Sequence, residues 1–400
     1  MTSISSSTSA PPLEGITVVS LEQAVAAPFA TRQLADLGAR VIKIERPGQG
    51  DFARGYDEAV HGNASYFVWL NRAKESLTLD VKQPEGQAIL HELIAGADVF
   101  VQNLGPGAAR RLGFDSAALR KRHKDLITCT ISGWGTDGPQ AHRKAYDLLV
   151  QCETGLVSLT GTEEHMAKAG ISVADIAAGM YAYSGILTAL LRRATRGEAS
   201  AIEVSLFDAL AEWMGAPLYY TAGSGRPPVR AGAAHATIAP YGPYSSADGI
   251  VLIAIQNAHE WLSLCTHLLQ DGNLADDPRF ATNSARVAHR PELDALMDST
   301  LRTLTSAQVT EILDKAGIAN ARINTVEDFL AHPVLSGRNR WQDIGVPGGT
   351  TRALRPPADL SGVDPVMGPV PAVGEHTDRI VRELGRDDAA IAALRAASVL

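Results

Sequence analysis

Residues 15–46, GITVVSLEQAVAAPFATRQLADLGARVIKIER, decide the fold class. Ile16–Leu21 is a short β-branched run, the pattern of a buried strand. A helix pattern follows over Phe29–Leu37, with Pro28 near its first turn and Gly38 where helices place a left-handed residue. Arg40–Glu45 is a second buried-strand pattern. Strand, helix and strand in this order open an α/β fold with parallel strands. The alternation continues outward. Ser76–Val81 reads as extended, Glu85–Ala95 as helix, and Asp98–Gln102 and Leu126–Ser132 as strands. Ala201–Ser205 reads as strand and Leu206–Trp213 as helix. The first turn, Glu22–Pro28, contains no glycine, so the dinucleotide fingerprint is absent and NAD or FAD binding is disfavoured. Asn103-Leu104-Gly105-Pro106-Gly107 follows a strand's carboxyl end, where open α/β sheets place their ligands.

The second informative stretch is residues 170–193, GISVADIAAGMYAYSGILTALLRR. Asp175 precedes an uncharged run, Ile176–Leu191, and Arg192 and Arg193 close it. That run is shorter than the ~20 apolar residues of a membrane span, and it reads as a buried helix. Asp175 falls at its expected N-cap, where a carboxylate meets free N–H groups and the positive end of the helix dipole. Capping accounts for an aspartate here by itself. An ionised carboxylate at a helix mouth is also a candidate nucleophile, and the two readings are compatible.

The chain has 400 residues, of which 45% are hydrophobic and 20% charged, with a net charge of −8. This suits a globular chain of two or three domains, or one large and one small. No basic tail is present, which argues against nucleic acid as partner. Arg110, Arg111, Arg120, Lys121, Arg122 and Lys124 read as a solvated helix face, with one or two available to a phosphate. Cys129, Cys152 and Cys265 form no zinc or redox spacing, so a reducing cytoplasm is the simple inference. Residues 1–12 are Ser-rich, lack the regions of a secretory signal, and read as a loose tail. No stretch reads as a transmembrane helix, so a soluble chain is expected. Composition shifts near residue 220, where residues 223–230, GSGRPPVR, resemble a linker. Beyond it, Asp248-Gly249 marks a hairpin between Tyr241–Tyr244 and Ile250–Ile255. Helix patterns follow at His259–Leu269, Pro291–Leu304 and Ser306–Ala316, and Thr377–Leu384 is a last amphipathic helix.

GARVIKIERPGQGD, SLTLDVKQPEG, DVFVQNLGPGAARRLGF, the Asp of VADIAAGMYAYSGILTALL, and GEHTDRIVRELG occur in one order and spacing. Together they resemble the class III CoA-transferases of the CaiB–BaiF type, from Leu13 to Gly385. The resemblance implies an α/β fold with a Rossmann-like large domain built from both chain ends. It implies a small α+β domain on long linkers, an interlocked homodimer, and an active site between domains and subunits. The expected division is a tail at 1–12, the large domain at 13–222, linker and small domain at 223–345, and a returning segment at 346–400.

The resemblance also assigns roles. Asp175 aligns with the catalytic aspartate, which attacks an acyl-CoA thioester to form a mixed anhydride and then becomes an aspartyl-CoA thioester. The implied CoA contacts are Val25, Ala26, Arg46, Leu79, Lys82, Asn103, Leu104, Arg111, Lys144, Tyr146 and Asp147. No metal and no prosthetic group are implied, and coenzyme A enters as a substrate thioester. Val25 stands where formyl-CoA transferases have Gln. Tyr146 stands where the racemases of this fold have a His base. A phenol of pKa ~10 is a poor base at neutral pH, so racemase chemistry is disfavoured. Residues Arg230–His235 and Ala239–Gly242 replace a glycine run of the formyl-CoA transferases, which argues against oxalate or formate as substrate. Arg230 and His235 are candidates for a distal carboxylate, although loop Arg and His are usually just solvated. Residues 22–46 resemble members acting on C4–C5 dicarboxylates such as mesaconate, itaconate, citramalate or succinate. The expectation is therefore a cytoplasmic CoA-transferase. The alternatives are an acyl-CoA racemase or epimerase and a non-catalytic CoA-binding homologue.

Overall fold

The computed structural model describes residues 9–400, which form two compact units. The larger takes the chain through Thr154, Gly170–Met214 and Val334–Leu400, so it is built from both chain ends. The smaller takes Gly155–Ala169 and Gly215–Pro333. The expected division put the linker and small domain at 223–345 and did not assign residues 155–169 to the small unit. Of the expected tail, residues 1–8 lie outside the described residues. Ser9 is already anchored, its N–H donating to the Gly362 carbonyl at 3.0 Å.

The larger unit is organised on a six-stranded sheet of order β3-β2-β1-β4-β5-β6. The strands are β1 Thr17–Leu21, β2 Arg40–Glu45, β3 Lys74–Thr78, β4 Val99–Gln102, β5 Ile127–Ser132 and β6 Ala201–Ser205. Every neighbouring pair is parallel, with Val18 opposite Val41 on one side and Val99 on the other. The strand order reverses between β1 and β4, and a doubly wound sheet opens its ligand crevice there.

Helices cover the sheet: α1 Ala26–Asp36, α2 Ser65–Asn71, α3 Pro84–Ala95, α4 Asp147–Glu153, α5 Val173–Arg196, α6 Leu206–Trp213, α7 Thr377–Glu383 and α8 Asp388–Ala396. Strand alternation divides the packing between the two faces. Val19, Leu21, Ile42, Ile44, Leu77 and Phe100 pack with Ile89, Leu90 and Ile94 of α3 and with Ile380, Val381 and Ile391 near the C-terminus. The returning segment also bonds to β3 directly. Thr78 N–H donates to Thr377 Oγ1 at 3.0 Å, and Gly374 N–H donates to Ser76 Oγ at 2.8 Å. The hairpin of β10 Trp341–Val346 and β11 Gly349–Leu354 docks through Arg72, whose Nη1 donates to the Leu354 carbonyl. In the small unit, β7 Tyr241–Ser245, β8 Ile250–Ala254 and β9 Ala319–Arg322 form an antiparallel sheet. Its core gathers Val251 and Ile253 with Trp261, Leu264, Leu293, Met297 and Leu313.

Helix α5 differs from the sequence reading at both ends. Its N-cap is Ser172, which places Asp175 inside the first turn, and the helix runs on to Arg196. At 24 residues it satisfies, by length and composition, the test for a membrane span. Here Ala174, Ala177, Ala178, Ala182, Ile186 and Ala189 form a buried stripe, and the helix packs on α1, α6, β5 and β6.

A buried charge cluster forms where β1 and β2 end, and Lys74 joins it from the start of β3. Lys43 Nζ lies 2.7 Å from Asp51 Oδ2 and 3.4 Å from Glu22 Oε1. Lys74 Nζ lies 2.7 Å from the same Glu22 oxygen, and Thr31 donates to the other. Arg54 and Ser76 hold Glu45, and the Asp51 N–H donates to it at 2.8 Å. Burial opposes the ionisation of Glu45, but Arg54 and Lys43 outweigh it and lower its pKa to about 2. Burial likewise opposes the Lys43 charge, and Asp51 and Glu22 more than restore it, so its pKa is raised. Such a group stabilises as a set, and removing one partner strands a buried charge. Lys43→Met is therefore expected to lower the unfolding free energy by about 3–5 kcal/mol, read from urea denaturation. An unchanged midpoint would show that the cluster is dispensable.

Candidate functional site

The site is built at the carboxyl edge of the sheet. Helix α1 leaves β1 at this edge. Helix α5 returns from it to the start of β6, so its first turn lies at the same edge. The turn between β1 and α1 is pinned from both sides of the switch point. Gln23 N–H donates to Asn103 Oδ1 at 2.9 Å, and Asn103 Nδ2 donates back to the Gln23 carbonyl at 2.9 Å. Ala24, at φ +60°, donates its N–H to Asp51 Oδ1 at 3.1 Å. The charge cluster thereby sets where α1 begins. Helix α1 has no side-chain cap and no acidic residue in its first turn. Its N-terminal N–H groups are thus free for an anion.

The two helices approach closely. A Cβ at Gly179 would lie 2.7 Å from the Ala26 carbonyl oxygen and 2.9 Å from Phe29 Cδ1. Gly179 is one turn beyond Asp175 on the same helical face, so the start of α1 lies near the turn that carries Asp175.

Asp175 is half-buried in the first turn of α5. Ser172 supplies no side-chain cap. The cap comes from elsewhere: Asp147, the first residue of α4, accepts from Ala174 N–H at 2.8 Å and from Asp175 N–H at 3.4 Å. Burial raises the Asp175 carboxyl, and the Asp147 charge adds to this, bringing it to about 7. A carboxylic acid at that value is poised between its forms at neutral pH, and its anion is more basic than an ordinary carboxylate. An aromatic row stands beside it. Tyr66 Oη lies 3.4 Å from Ser172 Oγ, and Tyr56 and Trp69 pack edge-on against Tyr66. Burial raises the Tyr56 phenol to about 12, with the Asp51 and Asp175 charges adding to the shift.

The structure gathers some of the residues singled out in the sequence and separates others. Val25 and Ala26 are buried at the start of α1. Arg46 is exposed and donates to Gln23 Oε1 at 3.0 Å, which joins it to the same turn. Asn103 is in that turn's hydrogen-bond pair, and Leu104 packs against the core. Arg111 is exposed and turns toward the Pro106 carbonyl. Lys144 and Tyr146 are exposed beside Asp147. Leu79 is 2% exposed inside the core, with its N–H on the Glu45 carbonyl, so its side chain meets no solvent-borne ligand. Lys82 is exposed, and its N–H donates to Asp80. Sequence reasoning missed the cap role of Asp147 and the Tyr56–Tyr66–Trp69 row. It also missed a cavity of about 730 Å³ between α5, β6 and α6, whose lining does not include Asp175.

A family model described as CoA-transferase family III matches residues 13–377. The succinate–glutarate CoA-transferase of Agrobacterium fabrum is 35% identical over 385 residues, covering 94% of this chain and 96% of that protein. The acetyl-CoA:oxalate CoA-transferase of Acetobacter aceti is 34% identical over 358 residues, covering 88% and 90%. The crystal structure of a CAIB/BAIF family protein from Brucella suis has a TM-score of 0.82 at 36% identity, over 94% of this chain and 100% of that one.

The Asp175 carboxyl links stability to pH. An unfolded aspartate titrates near ~3.9, whereas in the folded chain this one titrates at about 7. Below both values it is protonated in either state and costs nothing. As pH rises from 4 through 7, ionising it in place costs stability, and above that the cost is constant. Asp175→Asn is therefore expected to be more stable than the native chain at pH 8, on the order of 1–3 kcal/mol, with the gain vanishing near pH 4. Urea midpoints at pH 4.5, 6 and 8 test this, and a pH-independent difference would refute it.

Proposed function

We propose a reaction for this chain on one premise: it belongs to CoA-transferase family III, as the match over residues 13–377 shows. In our reading it moves CoA from an acyl-CoA thioester to a dicarboxylic acid. Asp175 attacks the thioester carbonyl, the C–S bond breaks, and CoA leaves as its thiolate. The thiolate then attacks the Asp175 carbonyl of the mixed anhydride, releasing the donor acid and leaving an aspartyl-CoA thioester. The acceptor carboxylate attacks this thioester, and the same two steps run in reverse. A covalent carboxylate divides one difficult exchange into easier halves.

The observation that carries this reading is the half-buried carboxyl in the first turn of α5, raised to about 7 beside Asp147. The uncapped start of α1 supports it, because free N–H groups there are suited to an oxyanion developing at the attacked carbonyl. Val25, Ala26, Arg46, Asn103 and Arg111 border the turns at the switch point and are our candidates for holding the CoA moiety. Lys144 and Tyr146, exposed beside Asp147, are candidates for its reactive end.

For the acceptor we favour a C4–C5 dicarboxylate, such as succinate, mesaconate, itaconate or citramalate. The succinate–glutarate relative supports this length, and the acetyl-CoA:oxalate relative keeps C2 acids within the test. The test is incubation with a panel of acyl-CoAs and free mono- and dicarboxylic acids, followed by mass spectrometry of the products and of the protein. CoA exchange is expected with at least one dicarboxylate, together with a CoA adduct on the peptide containing Asp175. Asp175→Ala is expected to lower kcat by roughly 10³-fold or more. Exchange retained within about tenfold by that variant would refute the assigned nucleophile.

A further inference from the structure

We infer that Asp147 is the positioning residue of the nucleophile: it holds the first turn of α5 through the Ala174 and Asp175 N–H groups and sets its own charge against the Asp175 carboxylate. The inference rests on the Asp175 reading above and reassigns Asp147 from a CoA contact.

The geometry is specific. Helix α5 starts without a cap of its own, and the acceptor that closes it lies 28 residues before Asp175 in the chain. Asp147 Oδ1 takes the Ala174 N–H at 2.8 Å, while its Oδ2 takes Gln151 Nε2 at 2.7 Å. Gln151 is buried and one turn along α4, so the carboxylate is gripped from both sides. Both oxygens of Asp147 are engaged within the protein, a poor arrangement for a ligand contact and a good one for a fixed support.

The charge has a consequence for the covalent step. Before attack, Asp147 and Asp175 are two carboxylates facing one another across a shared helix end. Attack forms a C–O bond from Asp175 to the thioester carbonyl carbon and breaks the C–S bond, and the sulfur leaves with the electron pair. The Asp175 side chain is then a neutral anhydride, and later a neutral thioester. Its repulsion with Asp147 exists in the free enzyme and is absent from both intermediates. Asp147 therefore raises the free nucleophile relative to its covalent forms while keeping the turn in place. Tyr56, from the segment after β2, is a further titratable group whose charge interaction reaches Asp175.

Three substitutions separate support from charge. Asp147→Asn retains an oxygen that can accept from Ala174. Asp147→Ser retains a capping hydroxyl of different length and serves if the first fails to fold. Asp147→Ala removes both functions. The Asp175 carboxyl is followed by ¹³C NMR of aspartate-labelled protein, its signal identified by loss in Asp175→Asn. The native chain is expected to titrate near 7. Asp147→Asn is expected to move that titration down by about one unit or more. It should also lower kcat by roughly tenfold with KM little changed. Asp147→Ala is expected to raise KM as well, because the turn loosens. An unchanged Asp175 titration in both Asp147→Asn and Asp147→Ser would overturn the inference. The titration needs no turnover, so it decides this point by itself. A native chain that gives neither exchange nor adduct would instead overturn the transferase reading.

Discussion

The contact between Lys43 Nζ and Asp51 Oδ2, 2.7 Å long and fully enclosed, underlies the rest of the larger unit. Asp51 has two tasks that depend on this contact. One oxygen neutralises Lys43, and the other accepts from Ala24 and Ala53. Ala24 is held at a positive φ that a residue with a Cβ adopts at a cost. The chain adopts it there because the Asp51 acceptor is already placed. Helix α1 then starts where its unpaired N–H groups meet the crevice, instead of turning back over the sheet. An apolar replacement of the ion pair would fill the same volume. It would have no means of aiming that turn.

The next constraint is steric. Helices α1 and α5 cross at Gly179, where any side chain would meet the Ala26 carbonyl and the Phe29 ring. The buried stripe of α5 near this crossing is almost all alanine. Small residues let two helix starts converge on one place without a large side chain between them. Two N-termini with parallel demands for an anion are brought together, and one carboxyl belongs to the protein itself. The crossing brings the turn that carries Asp175 close to the start of α1.

Much of this was legible in the sequence, for physical reasons. Strand and helix periods in residues 15–46 reproduce β1, α1 and β2 to within a few residues, because each element buries one face or both. The turn at Asn103 was found because it follows a buried strand. What failed was non-local. Asp175 read as the N-cap because an acid before an apolar run usually is one. Only the fold reveals that Asp147 reaches the same N–H groups from a separate helix. Leu79 lies in a matched motif, but its side chain points into the core, and a motif does not carry the alternation of β3 into the loop after it. Tyr56 and Tyr66 lie in a segment without periodicity, so nothing in the sequence joined them to Ser172. The helix Asp388–Ala396 was passed over because it is mostly alanine, with Ile391 its only buried residue.

Two acids of this unit show how structure separates support from chemistry. Glu45 and Asp175 are both carboxyl groups removed from bulk water, and burial pushes both upward. Glu45 faces Arg54 and Lys43, and its pKa falls to about 2. Asp175 faces the Asp147 carboxylate, whose charge adds to the effect of burial, and its pKa rises to about 7. Folding gains from the first arrangement and loses from the second. A protein that neutralises Glu22, Asp36, Glu45 and Asp51 with buried or part-buried Lys and Arg plainly has the means to neutralise one more. That no such partner among the described residues offsets the burial of Asp175, against the pattern of its own fold, is what supports our proposal that it is the reacting group.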